Sequence, residues 1–134
     1  MRYCLDTDTC IYFLNNTSQN VVDRLSNTPF DDVTIPSMAV AELFFGIEKS
    51  LKRKHNSCIV NAFLSHHKII HFEENSARIY GVLRAELEKN SSLIGGNDLV
   101  IAATAIAHDL ILVTHNTKEF SRINQLRLED WTLR

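Results

Sequence analysis

A chain of 134 residues is long enough to bury one continuous core without disulfide or metal staples. Its 14 Lys+Arg against 16 Asp+Glu give a formal net charge of -2. That charge excludes holding nucleic acid by global electrostatics alone, so any such contact needs a local basic patch, bound cations or a partner subunit.

Tyr3-Cys4-Leu5 is a short apolar run that stops at Asp6-Thr7-Asp8-Thr9, the pattern of a strand that delivers polar groups to a sheet edge. Thr9 or Asp8 is then expected to cap a helix through Cys10–Leu14. Residues 15–20 read as a polar loop, Val21 to Ser26 as a short helix and Val33 to Ile35 as a second strand. Ser37 is the expected N-cap of a helix running to about Lys54, its apolar residues at helical spacing. A helix over Ser57 to His66, a strand over Lys68 to Phe72 and an amphipathic helix over Asn75 to Lys89 follow. Asn97 is the expected cap of an almost wholly apolar helix from Asp98 to His108. Leu110 to Val113 reads as a fourth strand ending at Thr114-His115-Asn116, and Leu126 to Leu128 as a short fifth. Strands alternating with helices imply parallel β-α-β units, whose sites form at the carboxyl ends of the strands.

The cysteines are Cys4, Cys10 and Cys58, an odd count with no C-x-x-C pair. This argues against a disulfide framework and for a reducing cytosol. No signal-peptide pattern opens the chain, no apolar run reaches the ~18 residues of a membrane span, and residues 1–134 are expected to form a single domain.

Three carboxylates sit where a solvated charge is not normally placed. Asp6 follows an apolar strand, Glu42 interrupts Val40-Ala41-Glu42-Leu43-Phe44-Phe45, and Asp98 opens the core-like Leu99-Val100-Ile101-Ala102-Ala103. Each has a plain alternative: Asp6 and Asp8 as turn and cap residues, Asp98 as a helix-dipole acid, Glu42 paired with Lys49. Converging at one edge they would repel, and a divalent cation resolves the repulsion. Oxygen ligands without a Cys/His set favour magnesium or manganese. Such an ion acidifies a bound water and stabilises charge on phosphoryl oxygens, the minimum machinery for phosphodiester hydrolysis. Thr7 and Thr114 are expected to hydrogen-bond ligands or water, and Asn116 a water or a phosphate oxygen.

These residues resemble the PIN-domain ribonucleases, in particular the VapC type of toxin. Tyr3-Cys4-Leu5-Asp6-Thr7-Asp8-Thr9 is similar to the family's first motif, with Asp8 where many members have Asn. The stretch from Ser37 to Gly46 is similar to the second motif, which supplies Glu42. Asn97 to Ala105 is similar to the third, and Leu112 to Phe120 to the fourth. Leu126-Arg127-Leu128-Glu129-Asp130-Trp131 is similar to the usual C-terminus. The resemblance implies an α/β fold: three α/β/α layers around a mostly parallel sheet of four to five strands. It also implies magnesium-dependent cleavage of structured RNA such as tRNA, homodimerisation and inhibition by a cognate antitoxin. Asn116 stands where PIN domains often carry a fourth acid, and Glu119 lies one helical turn on.

Lys52-Arg53-Lys54-His55 is the one dense basic run. Lys52 and Arg53 are candidate phosphate contacts, the alternative being a helix C-terminus whose charges the dipole favours. Arg84, with Arg78, is a candidate groove residue or a solvated one, and Asp8 a candidate substrate contact. His67 and His71 read as structural. Phe44-Phe45 with Tyr12 and Leu14 read as core before partner surface. Two rival functions compete: a PIN-like domain that binds RNA or protein without turnover, and an aspartate-nucleophile phosphatase built on Asp6-x-Asp8.

Overall fold

The computed structural model describes residues 1–133; the expected single domain extends to Arg134, which lies outside the described residues. The sheet is formed by β1 (Tyr3–Leu5), β2 (Val33–Pro36), β3 (Lys68–Ile70), β4 (Ile111–Val113) and β5 (Leu128–Glu129). Their order is β3-β2-β1-β4-β5 and every pairing is parallel. The first three strands step outward to one side and the last two to the other. The order therefore reverses between β1 and β4, and a crevice opens there at the carboxyl ends of the strands. β1 and β2 are wholly buried, as a sheet covered by helices on both faces requires.

Among the described residues seven α-helices cover the sheet: α1 (Thr7–Leu14), α2 (Gln19–Ser26), α3 (Ser37–Glu48), α4 (Arg53–Ser65), α5 (Glu74–Lys89), α6 (Gly96–Ala107) and α7 (Thr117–Phe120). Leu5, Ile35, Leu99, Ile101, Leu112 and Phe120 fill the core. Buried threonines are satisfied across strands: the Thr34 hydroxyl donates to the Tyr3 carbonyl at 2.8 Å and that of Thr9 to Val113 at 3.1 Å.

The structure corrects several sequence expectations. The cap of α1 is Asp6, whose carboxylate accepts from the Thr9 backbone N–H at 2.9 Å. The residue expected to cap is thus the donor. Ser37 is the first residue inside α3, after Pro36 as cap, and its hydroxyl accepts from the Phe72 N–H at 3.3 Å. Gly95 rather than Asn97 caps α6. The helix expected to reach Lys54 ends at Glu48, and α4 begins at Arg53. The basic run therefore lies at a helix N-terminus, where the macrodipole disfavours cations. Phe44 and Phe45 are exposed rather than core, at 43% and 64%.

Candidate functional site

Two adjacent strands end at the crevice, and each delivers a buried polar side chain to it. Asp6 leaves β1 with its N–H bonded to the Val113 carbonyl at 3.1 Å, and Thr114 leaves β4 fully buried. Asp6 is only 4% exposed. Burial pushes its carboxyl pKa up, against hydrogen bonds from Thr114 and Thr9 that lower it and the Asp8 charge that raises it further. At the N-terminus of α1 its charge also meets the favourable end of the helix dipole.

Two more helices bring the other acids. Glu42 lies midway along α3, half-buried, and its Oε1 accepts from the Thr7 hydroxyl at 2.6 Å. Thr7 therefore orients Glu42, and Lys49, its partner in the plain alternative, lies instead over the Phe45 ring at 5.0 Å. Asp98 sits in the first turn of α6. Its pKa is pushed up to about 6, by burial first and then by the charges of Glu119, Asp6, Glu42 and Asp8. Four other carboxylates, carried by α1 with its cap, α3 and α7, thus act on Asp98.

Glu119, in α7, is bound on both oxygens. Oε1 accepts from the Gly95 N–H at 2.9 Å and Oε2 from the Asn116 amide at 2.8 Å. These two bonds hold its pKa below the usual carboxylate range against burial. A methyl group on Gly95 would lie 3.8 Å from Asp98 Oδ2 and 3.9 Å from Glu119 Oε1, so the turn entering α6 passes close against both acids. The Asn116 N–H donates to the Thr114 hydroxyl at 3.0 Å, which joins this tie to the Asp6 side of the site. The reach from Glu119 back to Gly95 carries no sequence signal beyond the glycine itself.

The other expected site residues lie outside this hydrogen-bond network, although the charge of Asp8 reaches Asp6 and Asp98. Asp8 is exposed on α1. Lys52 precedes α4, and Arg53 pairs with Glu48 at 3.7 Å on the surface. Arg84 is held on an exposed face of α5 by Glu88 at 3.1 Å and the Tyr80 hydroxyl at 3.0 Å. Arg78 pairs likewise with Glu74. Beside Glu42 opens a cleft of about 220 Å³ between α1, α3 and α4, lined by Ile11, Leu14, Leu43, Ile47 and Ile59.

No group of three or more His, Cys, Asp or Glu closes into a direct ligand cage among the described residues. The donors still fit a hard cation. They are carboxylates under mutual repulsion, Asp6 and Glu42 each oriented by a hydrogen bond, and magnesium keeps several waters and takes only one or two protein carboxylates.

Comparison with known proteins gives this geometry its family. The PIN domain family model matches residues 3–126. Ribonuclease VapC2 of Rickettsia felis is 42% identical over 132 residues, covering 98% of each chain. The tRNA(fMet)-specific endonuclease VapC of Salmonella typhimurium is 34% identical, again over 98% of each. Among solved structures, DNA-bound VapBC from Salmonella typhimurium superposes with a TM-score of 0.92 at 34% identity, covering 98% of both chains. VapBC2 of Rickettsia felis, bound to a promoter DNA fragment, gives 0.88 at 41% identity, covering 98% of this chain and 99% of that one. The chain belongs to the PIN-domain family and, within it, to the VapC ribonucleases. PIN-domain nucleases depend on divalent metal. The aspartate-nucleophile phosphatase is overturned by this match over nearly the whole chain.

Proposed function

We propose that this chain is a magnesium-dependent endoribonuclease, the toxin of a toxin–antitoxin pair, acting on structured RNA such as tRNA. One observation carries the reading: Asp6, Glu42 and Asp98 share one electrostatic site at the strand-order reversal of a chain 42% identical to a VapC ribonuclease. In this reading those three residues hold the cation, with manganese as a substitute. When bound, a divalent cation supplies charge stabilisation for the phosphodiester and a more acidic water.

The chain's own residues set the stage. Thr7 fixes the direction of Glu42, Thr114 and the α1 backbone fix Asp6, and Asn116 with Glu119 fixes the turn that presents Asp98. In this reading Lys52 and Arg53 meet RNA phosphates, Arg53 giving up its surface pairing with Glu48. An anion at the start of α4 would be favoured by both the helix dipole and the basic side chains that the dipole alone disfavours. Asp8 would line the substrate path, and Arg84 would reach a phosphate only by giving up Glu88 and Tyr80. The cognate antitoxin is read onto the apolar cleft and the exposed Phe44 and Phe45. The same reading takes the chain as one domain that pairs into a homodimer in the cytosol, where Cys4, Cys10 and Cys58 stay free thiols.

The test is cleavage of tRNA(fMet) and bulk RNA by purified chain in magnesium, manganese or EDTA. Cuts at a few discrete positions, lost in EDTA, are expected. Metal-resistant cleavage would overturn the reading, and RNA binding without turnover would favour a binding module.

Glu119 offers a sharper result. In Glu119→Gln the amide oxygen still accepts from Gly95, and the Asn116 amide turns over to accept from the new NH2. Thermal stability is therefore expected to hold while cleavage falls about tenfold or more, because the fourth charge beside Asp98 is gone. Glu119→Ala is expected to cost a further ~1–2 kcal/mol of stability, since the Gly95 N–H and the Asn116 amide lose their acceptor. Full activity in the Gln variant would make Glu119 a structural tie only.

A further inference from the structure

Between Thr114, which abuts Asp6, and Asn116, which holds Glu119, stands His115. It faces outward from the end of β4 with its side chain 56% exposed. The Tyr12 ring meets it edge-on with centroids 6.3 Å apart. Tyr12 stands on α1, which Asp6 caps, and His115 is flanked by Thr114 and Asn116, so this aromatic pair lies beside the acidic site.

The imidazole is held in one orientation and one tautomer. Its Nδ1 lies 3.0 Å from Asp130 Oδ2 and 3.1 Å from the Thr132 hydroxyl. The other oxygen of Asp130 accepts from the Thr132 N–H at 3.0 Å and the Thr132 hydroxyl at 2.6 Å. Burial pushes Asp130 up, but these bonds outweigh it and hold the carboxyl below its ordinary range. Asp130 is therefore an acceptor only, and the Thr132 hydroxyl has already given it a hydrogen. Nδ1 must carry the proton, and in the neutral ring Nε2 carries a lone pair. Nε2 has no hydrogen-bond partner among the described residues.

A lone pair at the rim of an RNA-cutting site selects for a donor. Phosphodiester oxygens have no hydrogen to give, and base edges differ from one nucleotide to the next. The one donor that every ribonucleotide carries, and that deoxyribonucleotides lack, is the ribose 2′-hydroxyl. We propose that His115 accepts a hydrogen bond through Nε2 from a ribose 2′-hydroxyl beside the acidic cluster, with Asp130 as its positioning residue, so that the pair contributes to choosing RNA over DNA. This rests on the ribonuclease reading and adds a specificity residue to it.

The test uses tRNA(fMet) assembled from synthetic halves, with a single 2′-deoxy sugar placed in turn at each nucleotide flanking the cut. At one position the deoxy sugar is expected to slow the wild-type chain about two- to twelvefold, the value of one hydrogen bond. His115→Ala should cut the all-ribose RNA more slowly by the same factor and show no deoxy penalty there. Asp130→Asn separates positioning from packing. The Asn oxygen keeps the Thr132 donors, its NH2 then faces Nδ1, and the proton moves to Nε2. That variant should keep its thermal midpoint and show a changed penalty, since an Nε2–H can only donate to the 2′-oxygen where the wild-type ring accepts from it. A penalty unchanged in both variants overturns the proposal, as does a loss of rate equal on both sugars, which marks a phosphate contact or a purely structural role. If the wild-type chain cuts no RNA, the ribonuclease reading falls separately. The same comparison is then made as binding affinity of the wild-type chain, where a deoxy penalty that survives His115→Ala overturns the proposal.

Discussion

Replacing Asp6 by Asn is expected to lower metal-dependent RNA cleavage about a thousandfold or more, the several kcal/mol that a correctly held cation is worth in such chemistry, while the fold's thermal midpoint stays level or rises. The two halves of that expectation come from one geometry. Asp6 is both the cap of α1 and the most buried acid of the cluster. Asn caps a helix as well as Asp does, so its oxygen keeps the Thr9 N–H. Its NH2 finds the Thr114 hydroxyl, which has a free lone pair beside the one taken by the Asn116 N–H. The folded chain meanwhile loses a charge that burial already disfavours. Asp6→Ala is the contrasting variant: it should lose cleavage equally and also ~1 kcal/mol of stability for the missing cap. Single-turnover cleavage and thermal melts on the three chains check both halves. Cleavage surviving in Asp6→Asn would remove Asp6 from the reaction, and a collapsed midpoint would mean that its charge, not its shape, holds α1.

Asp6, Glu42 and Asp98 were legible because each carboxylate interrupts an apolar segment, and such a break has few cheap explanations. The strand order was partly legible: alternating elements imply parallel pairing, but which strands neighbour β1 depends on contacts far apart in the chain. Other features left no local mark. The break between α3 and α4 falls at Lys49–Lys52, a stretch without Gly or Pro, where the Ser50 hydroxyl donates back to the Ile47 carbonyl at 2.7 Å. Phe44 and Phe45 were read as core because helical spacing places residues on a face without saying whether protein or solvent lies against it. Asp130 reaches His115 only because β4 and β5 pair in register, Val113 beside Glu129, and that register is set by the fold as a whole. The α1 cap was misassigned by two or three residues because Asp6, Asp8 and Thr9 are all competent caps and only the strand's exact end decides among them.

Metal and pH should act on stability through Asp98, and in opposite senses. Its folded pKa of about 6 stands above its ordinary 3.8. Between those values the folded chain binds more protons than the unfolded one, so this contribution favours folding below pH 3.8 and is lost as pH rises through 6. Asp6 acts in the same direction. His67 opposes both: burial depresses its pKa below 6.5, and the stability it contributes is lost as pH falls. Glu119 and Asp130, with depressed values, lose theirs mainly below pH 4.5. The Asp98 part is therefore read as the difference between the wild-type chain and Asp98→Asn, melted in EDTA between pH 5 and 7. At pH 7 the variant is expected to be the more stable by ~1 kcal/mol, a value discounted from the full shift because Asp98 is half exposed. At pH 5 the gap should shrink to about half, and it closes only toward pH 3.8. Saturating magnesium should reverse the order at pH 7, since a cation bound only by the folded chain at 100 times its Kd adds about 2.7 kcal/mol. At pH 5 protons compete for the same carboxylates and the gain should shrink. A wild-type chain more stable than Asp98→Asn in EDTA at pH 7 would mean that the acids are not in conflict. Magnesium stabilising both chains equally would place the cation somewhere other than this cluster.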